Sequence, residues 1–444
     1  MNRRALSRQL DILSTVFIVA LVDALALTLI IPMLPSYGVR LGGDALAISA
    51  VAAAYPLAQL IGAPLMGSLS DRFGRKPLLI ASLLGSFAGY IVMALAQSIE
   101  MLILARLIDG LSGGNVAVAY ATLADSTEPE ERSRVFGMVV GSAFGIAFIV
   151  GPFVGIAVLS MSGRNYALVS LVAALYSLLA VGIVAKLLPE TRPKTAATPG
   201  ARDAVTINSR VVVLLVILAL QQFAFGGFER MFGLFNLSRL GMGAEATGYL
   251  FIYIGLITVW AQARALPMWR DRFGDLAIVV HALTGLAIGL ALLAITPTIP
   301  APWYDRSALA QSLLSSDLLL DIQATTRALS IMLPEGEGGW LGLIWLVMAL
   351  LPVALGGAVL RPVLSSMISC EACGGRAGAT LGISAAVVSL MNAAAPLVGG
   401  LAFTMSTGTP FILSATAAVA GLAIAVLLMR KPTIATAIQR SAGR

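Results

Sequence analysis

Twelve times between residues 12 and 429 this chain runs for about 20 residues or more with hardly a charge. A bilayer core about 30 Å thick takes ~20 apolar residues per helix, and no soluble fold hides twelve such runs. They fall at 12–35, 46–69, 77–97, 101–124, 135–159, 166–188, 211–237, 246–268, 276–296, 340–363, 378–403 and 409–429. The expected fold is all-α and membrane-integral, with the lipid bilayer as its solvent. Gly and Pro inside the runs do not count against this, because membrane helices tolerate both. Arg3, Arg4 and Arg8 precede the first run as they would a secretory signal. That run continues to Pro35 without a small-residue cleavage pattern, so it reads as a retained helix.

The net charge of +7 suggests nucleic acid only until the basic residues are mapped, for they lie in short groups between apolar runs and not in one patch. With the N-terminus placed in the cytoplasm, 21 of the 29 Lys and Arg residues fall in connections on that side and five on the other. The remaining three, Arg106, Arg230 and Arg361, lie inside the runs. The positive-inside rule therefore predicts an inner, cytoplasmic-type membrane with both termini cytoplasmic. Two cysteines exclude a disulfide framework.

Charge is concentrated at GSLSDRFGRKP (67–77) and nearly repeated at MWRDRFGD (268–275), with the tetrapeptide DRFG recurring at an offset of 200. Farther along, Gly113-Gly114 is answered by Gly356-Gly357 at an offset of 243, and Pro152 by Pro396 at 244. The change in offset corresponds to residues 297–339, which have no counterpart in the first half. The pattern predicts two duplicated, pseudo-symmetric six-helix bundles, 1–188 and 211–429, with the insert 297–339 in the second. A polar cytoplasmic linker (189–210) joins them and a basic tail (430–444) follows.

These motifs resemble the major facilitator superfamily, in the branch of tetracycline-efflux proteins and related proton-coupled drug antiporters. GSLSDRFGRK matches the superfamily pattern G-x-x-x-D-R-x-G-R-K; DALALTLIIPMLP (23–35), ARLIDGLSGGN (105–115) and ADSTEPEERSRVFG (124–137) resemble the branch's first helix, fourth helix and following turn. GIAFIVGPFVG (145–155) resembles its antiporter motif through Gly145, Gly151, Pro152 and Gly155, although Ile156 stands where a second Gly is usual. The resemblance covers the chain except 297–339 and implies export driven by proton influx.

It also implies a cytoplasmic gate of Gly67, Asp71, Arg72, Gly74, Arg75, Lys76 and Asp125, echoed by Asp271 and Arg272. In this scheme Gly67 and Gly74 allow close approach, Asp71 faces a helix N-terminus of the other half, and Arg75 pairs with Asp125. The same charges also hold the loops on the cytoplasmic side. Within the spans a charge costs at least ~2.5–3.5 kcal/mol at mid-bilayer and marks function by default. Asp23, Arg106, Asp109 and Glu229 are the candidate proton-coupling groups. Asp23 has no cation nearby in sequence; Arg106 with Asp109, and Glu229 with a neighbour, can equally be self-neutralised structural pairs. Gln221, Gln222, Phe225 and Phe228 are candidates for a substrate cavity, against the reading that Phe225, Phe228, Phe232 and Phe235 are a helix-packing stripe. His281 reads as structural, and Cys370 with Cys373 as an incidental pair; no metal site is assigned. Leu309, Leu313, Leu320 and Leu329 give the insert an amphipathic pattern, so it reads as an elaborated loop, a cap on the outer mouth or a place for a protein partner.

The expected function is secondary active transport, a proton-coupled antiport of a small amphipathic compound, with small-molecule or ion substrate and protons as partners. No enzyme activity, cofactor or nucleic acid is expected, and no G-x-x-x-x-G-K-[ST] motif occurs for ATP. Iron transport, as in superfamily members that supply organelles such as magnetosomes, is the alternative, and a non-transporting scaffold or sensor the second one.

Overall fold

A computed structural model of the chain describes residues 3–127, 135, 139, 142–191, 208–314, 333–371 and 377–430. Among these, twelve helices are long and apolar enough to cross a membrane: spans one to six are Asp11–Ile30, Ala45–Phe73, Arg75–Ala94, Ile99–Asp125, Ser142–Met161 and Tyr166–Leu187. Spans seven to twelve are Ser209–Leu240, Ala244–Phe273, Asp275–Ala294, Trp340–Glu371, Gly382–Phe403 and Thr409–Met429. Both DRFG loops lie on one face of this arrangement, the DRFG face; the insert lies on the other, the insert face.

Span one is shorter than the sequence suggests. It stops at Ile30, and a separate short helix, Leu34–Arg40, follows. Pro32 and Pro35 have no N–H to extend the first helix, while Pro35 is well placed in the first turn of the second. The short helix is buried, with the Tyr37 hydroxyl donating to the Met93 carbonyl at 2.9 Å.

Spans one, five and six pack together in the first half, as do two with four, and three with four and six; in the second half seven packs with ten, eleven and twelve, and nine with ten and twelve. The halves meet along two seams, span two with eleven and span five with eight. Both seams run on small residues. A Cβ on Gly400 would sit 2.3 Å from the Ser49 hydroxyl, and one on Gly248 2.9 Å from the Ile156 side chain. The closest cross-half approaches lie toward the insert face. There Arg164 Nη2 reaches Glu245 Oε2 at 3.3 Å, and Ser49 Oγ lies 3.6 Å from Met231 Sδ.

On the DRFG face the halves stand apart. A Cβ on Gly67 would meet nothing within 4 Å, and Leu266–Phe273, the end of span eight, buries none of its residues. The expectation that Gly67 provides a close approach is therefore not met in this conformation, because the surface it would press against is withdrawn. Gly74 and Gly274 fulfil their turn role, each ending one helix and starting the next at φ of 106° and 75°.

The described part of the insert is built into the insert face. Ala301 N donates to the Leu240 carbonyl at 2.9 Å, and Leu313, on the short helix Arg306–Leu314, is 1% exposed against the second half's core. Asp305 starts that helix by accepting from the Ser307 hydroxyl at 2.6 Å and from the N–H groups of Ala308 and Ser307, which together hold its carboxyl below the usual range. The helix touches Leu34–Arg40 of the first half, so the insert contacts both halves. Leu320, Leu329, Cys373, the turn after Thr127, most of the linker and the tail lie outside the described residues.

Span two and span four cross at Gly62 and Gly110, where an added Cβ would lie 2.3 Å from a backbone carbonyl of the partner helix. Gly110→Ala should destabilise the protein by about 1–3 kcal/mol through overpacking. Gly182→Ala, with nothing within 4 Å, should be neutral or slightly stabilising. Thermal unfolding in detergent checks the pair, and equal melting temperatures would contradict the packing described.

Candidate functional site

Span four is not one helix. It breaks between Ile99–Ser112 and Asn115–Asp125, at Gly113-Gly114. Backbone groups freed inside a bilayer need replacement partners, and they have them: Ser82 Oγ donates to the Ser112 carbonyl, and Gln59 Nε2 to the Gly113 carbonyl at 3.1 Å. Gly114 brings span four against Met66, where a Cβ would be 2.2 Å from the Met66 side chain. The break turns the end of span four so that Asn115 reaches Asp23 of span one with a hydrogen bond.

Around this break lies a polar cluster in the first half. Arg106 Nη1 and Asp109 Oδ2 form a buried ion pair at 3.1 Å, with side chains 6% and 3% exposed. Ser86 and Tyr90 also bond to Asp109, and the Arg106 guanidinium stacks 4.7 Å from the Tyr55 ring. Removing one member of such a pair leaves a buried charge, a loss of about 3–5 kcal/mol. Asp23 is different. It is half-buried and, among the described residues, has no ion-pair partner within 4 Å.

Facing it in the second half, Arg230 Nη1 donates to Asn392 Oδ1 at 3.1 Å and to the Gly226 carbonyl at 3.3 Å, while Gln222 Nε2 donates to the same Asn392 oxygen at 2.8 Å. Glu229 Oε2 lies 3.8 Å from Arg230 Nη1, a loose pair between sequence neighbours. Gln221 is buried and its Oε1 has no bonding partner. Of the candidate cavity residues, Gln222 belongs to this wall, and Phe225 lies against Gly357 of span ten. Phe228 does not belong to it. Its ring is 5.0 Å from Phe232 and 6.4 Å from Phe411, 1% exposed, inside the second half's core. The helix-packing reading describes it, since its position on span seven points away from the first half.

The gate motif has a more local geometry than the pattern implies. Arg75 Nε binds Asp125 Oδ2 at 2.8 Å, and Arg75 Nη1 binds Asp71 Oδ1 at 2.6 Å. Asp71 is thus held within its own half with its side chain 65% exposed, and does not face a helix of the other half, because that half is withdrawn here. Lys76 Nζ ties the loop to the Ala185 carbonyl of span six at 2.8 Å. Glu190 caps span three, accepting from Arg75 N at 2.9 Å and Lys76 N at 3.2 Å. In the second copy the bridge runs through Arg270, whose guanidinium holds Asp275 at 2.6 Å and Ser366 at 3.2 Å. Asp271 and Arg272 are exposed and outside that bridge, because the charge has moved to the residues flanking DRFG.

The antiporter-motif residues pack span five on span one. Thr28 Oγ1 donates to the Ala147 carbonyl at 2.8 Å, and a Cβ on Gly151 would lie 2.1 Å from that hydroxyl. Gly155 meets the Leu29 carbonyl, Pro152 leaves the Phe148 carbonyl without its helical donor, and Gly145 lies against Val259 of the other half. His281 contacts Phe273, ring to ring at 5.5 Å, and Cys370 is exposed.

Sequence reading missed Tyr55, Gln59, Asn115, Glu190 and Asn392. Asn115 and Asn392 carried a usable signal, as uncharged polar side chains inside apolar runs; Glu190 carried none, since it lies in a polar linker.

A family model described as Major Facilitator Superfamily matches residues 16–314. The chain is 28% identical over 435 residues to a tetracycline resistance protein, class D, of Salmonella ordonez, covering 94% of this chain and 96% of the relative. It is 26% identical over 396 residues to the class B protein of Escherichia coli, covering 87% and 86%. Its fold matches the crystal structure of the human organic anion transporter MFSD10 (TETRAN) with a TM-score of 0.65 at 23% identity, over 94% of this chain and 99% of that one.

An opening on the DRFG face makes Tyr120, 36% exposed on the last turns of span four, reachable by water, while Ser49, fully buried in the span two and eleven seam, is not. With both native cysteines replaced by serine, Tyr120→Cys should react with a membrane-impermeant maleimide from the DRFG face at least tenfold faster than Ser49→Cys. Faster labelling of Ser49→Cys from either side would reverse the assignment of the open face.

Proposed function

The chain belongs to the Major Facilitator Superfamily, and we propose that it is a proton-coupled exporter of a small amphipathic organic compound. The DRFG face is then cytoplasmic, both termini lie on that side of an inner-type membrane, and the two bundles, 1–188 and 211–429, rock about the central cluster. The observation that carries this reading is Asp23: a half-buried carboxyl in mid-span, held by Asn115, beside Asp109 and with no cation within 4 Å among the described residues. Taking up a proton there removes an uncompensated charge from a low-dielectric interior, which couples protonation to the packing of the halves. Arg106 and Asp109 neutralise each other and serve as the polar wall that orients Asn115 and span four. Glu229, loosely paired, is a secondary proton site.

The likeness to tetracycline resistance proteins and to an organic anion transporter supports an organic cargo. Iron would need several oxygen ligands in one place. Among the described residues no three His, Cys, Asp or Glu side chains converge in that way. In the transport cycle Asp71 leaves Arg75 and meets the second half when the DRFG face closes; Arg164–Glu245 parts as the insert face opens. Both contacts are partly exposed ion pairs, each worth about 0–1 kcal/mol, so either can break in every turnover.

Asp23→Asn fixes the uncharged form. In proteoliposomes with an imposed pH gradient, screened with tetracyclines and lipophilic cations, it should abolish accumulation against a gradient while downhill exchange of the same compound persists. Asp109→Asn should instead lower the melting temperature by leaving Arg106 unpaired. Uphill transport retained in Asp23→Asn and lost in a folded Asp109→Asn would move the coupling role to Asp109.

A further inference from the structure

Pairing the charges of the transmembrane interior leaves a remainder of opposite sign on the two walls. In the first half Arg106 is matched by Asp109, and Asp23 is left over. In the second half Arg230 is matched loosely by Glu229; Arg361 of span ten and, nearer the DRFG face, Arg264 of span eight have no ion pair within 4 Å among the described residues, and of these Arg361 is the one whose charge acts on Glu229. Arg361 is exposed, although the residues sharing its helix face, Gly357, Ala358 and Leu364, are buried. Gly357, one turn away on that face, lies against Phe225 of span seven. Among the exposed residues of span ten, Ile344, Met348, Leu351 and Pro362 form one stripe, and Arg361 stands about 100° round the helix from it, off that lipid-facing line. Its charge acts on Glu229 and Arg230 of span seven and, across the gap, on Tyr120 of span four.

We propose that Arg361 is an anion-recognising subsite, which selects substrates bearing a carboxylate or comparable acidic group as they load from the DRFG face. The inference deepens the transporter reading above and rests on it. A guanidinium offers a fixed fork of donors that matches a carboxylate bidentately, which a neutral amide cannot reproduce. Glu229 feels the Arg361 charge but makes no ion pair with it within 4 Å, its near cation being Arg230 at 3.8 Å. Tyr120, opposite, has a hydroxyl suited to the same acidic group and a ring suited to an apolar body beside it. Because Asp23 sits on the other wall, the acid is bound apart from the proton site. A substrate with a basic group at its far end then spans both walls, and protonation of Asp23 releases that end first.

The test is equilibrium binding to the purified full-length protein in detergent, with a panel of amphipathic aryl carboxylates, each matched with its neutral primary amide and a quaternary ammonium analogue. Wild type should bind the best acid at least tenfold more tightly than its amide. Arg361→Gln should bring the acid to the amide's affinity without changing the amide, and Arg361→Lys should restore part of the difference; melting temperatures within a few degrees of wild type identify folded variants. Acid and amide binding alike in wild type, preference for the quaternary cation, or an Arg361→Gln variant that keeps the preference would each overturn the subsite. Absence of binding across the panel overturns it too. If a pH gradient still drives uptake of a lipophilic cation in that case, with Asp23→Asn inactive, the transporter reading stands without the subsite.

Discussion

Inside a bilayer no water replaces a lost helical hydrogen bond, and this requirement shapes the protein wherever a span is interrupted. Span four breaks only because Ser82 and Gln59 stand ready to donate to the Ser112 and Gly113 carbonyls. Span eight adopts a π-helical turn at Ala261–Ala265, just before Pro267, and Gln262 there donates to the Ala358 carbonyl of span ten at 3.0 Å. In both cases a side-chain hydrogen bond joins the irregular stretch to a neighbouring helix, and in span eight Ala261 and Ala265 are buried while Gln262, Ala263 and Arg264 are exposed. The break in span four is also what points Asn115 at Asp23. A backbone constraint thus places the side chain on which proton coupling is proposed to depend.

The same scarcity of solvent explains the distribution of charge. Arg106 and Asp109 are buried and paired through one Nη1–Oδ2 contact, supported by Tyr55, Ser86 and Tyr90, while the Arg106 Nε has no hydrogen-bond partner among the described residues. Such a pair adds little net stability over an apolar one but is costly to disrupt, which suits a wall that should stay fixed. Asp23, half-buried, and Arg361, exposed, have no ion-pair partner within 4 Å among the described residues. Charges that stay paired hold the structure; charges left unpaired are free to answer a proton or a substrate.

Much of this was legible in the residues. The number and order of spans followed from apolar length alone, and the Arg75–Asp125 pair was implied by the resemblance of its motif to the family pattern. What the sequence could not carry was anything that depends on which helices are neighbours. Phe228 sits on the same helix as Gln222 and at similar spacing, yet a difference in facing puts one in the core and the other on the inner wall. Asp71 is another case. In this structure it pairs with Arg75 of its own half, and a single pattern cannot say which half it meets. Glu190, in a polar linker, became a helix cap only because span six ends beside the start of span three. The early stop of span one was legible in Pro32 and Pro35, but their position near an expected boundary hid it.

Glycine serves opposite purposes in the two kinds of seam. Within the first half, Gly151 and Gly155 bring span five so close to span one that Thr28 bonds to the Ala147 carbonyl, and the contact is fixed by a directional bond. Between the halves, Gly248, Gly255 and Gly400 allow equally close approach, but against Ile156, Phe148 and Ser49, by dispersion contacts. Few polar contacts of the described residues cross there, and the ion pair among them, Arg164–Glu245, is partly exposed. A seam smooth in shape and poor in directional bonds costs little to separate and re-form, whereas a bonded seam moves as one piece. Two packings of similar free energy require that combination, rigid bundles with a weakly committed interface. The arrangement of glycines, rather than any strong latch, is therefore what permits the halves to exchange one open face for the other.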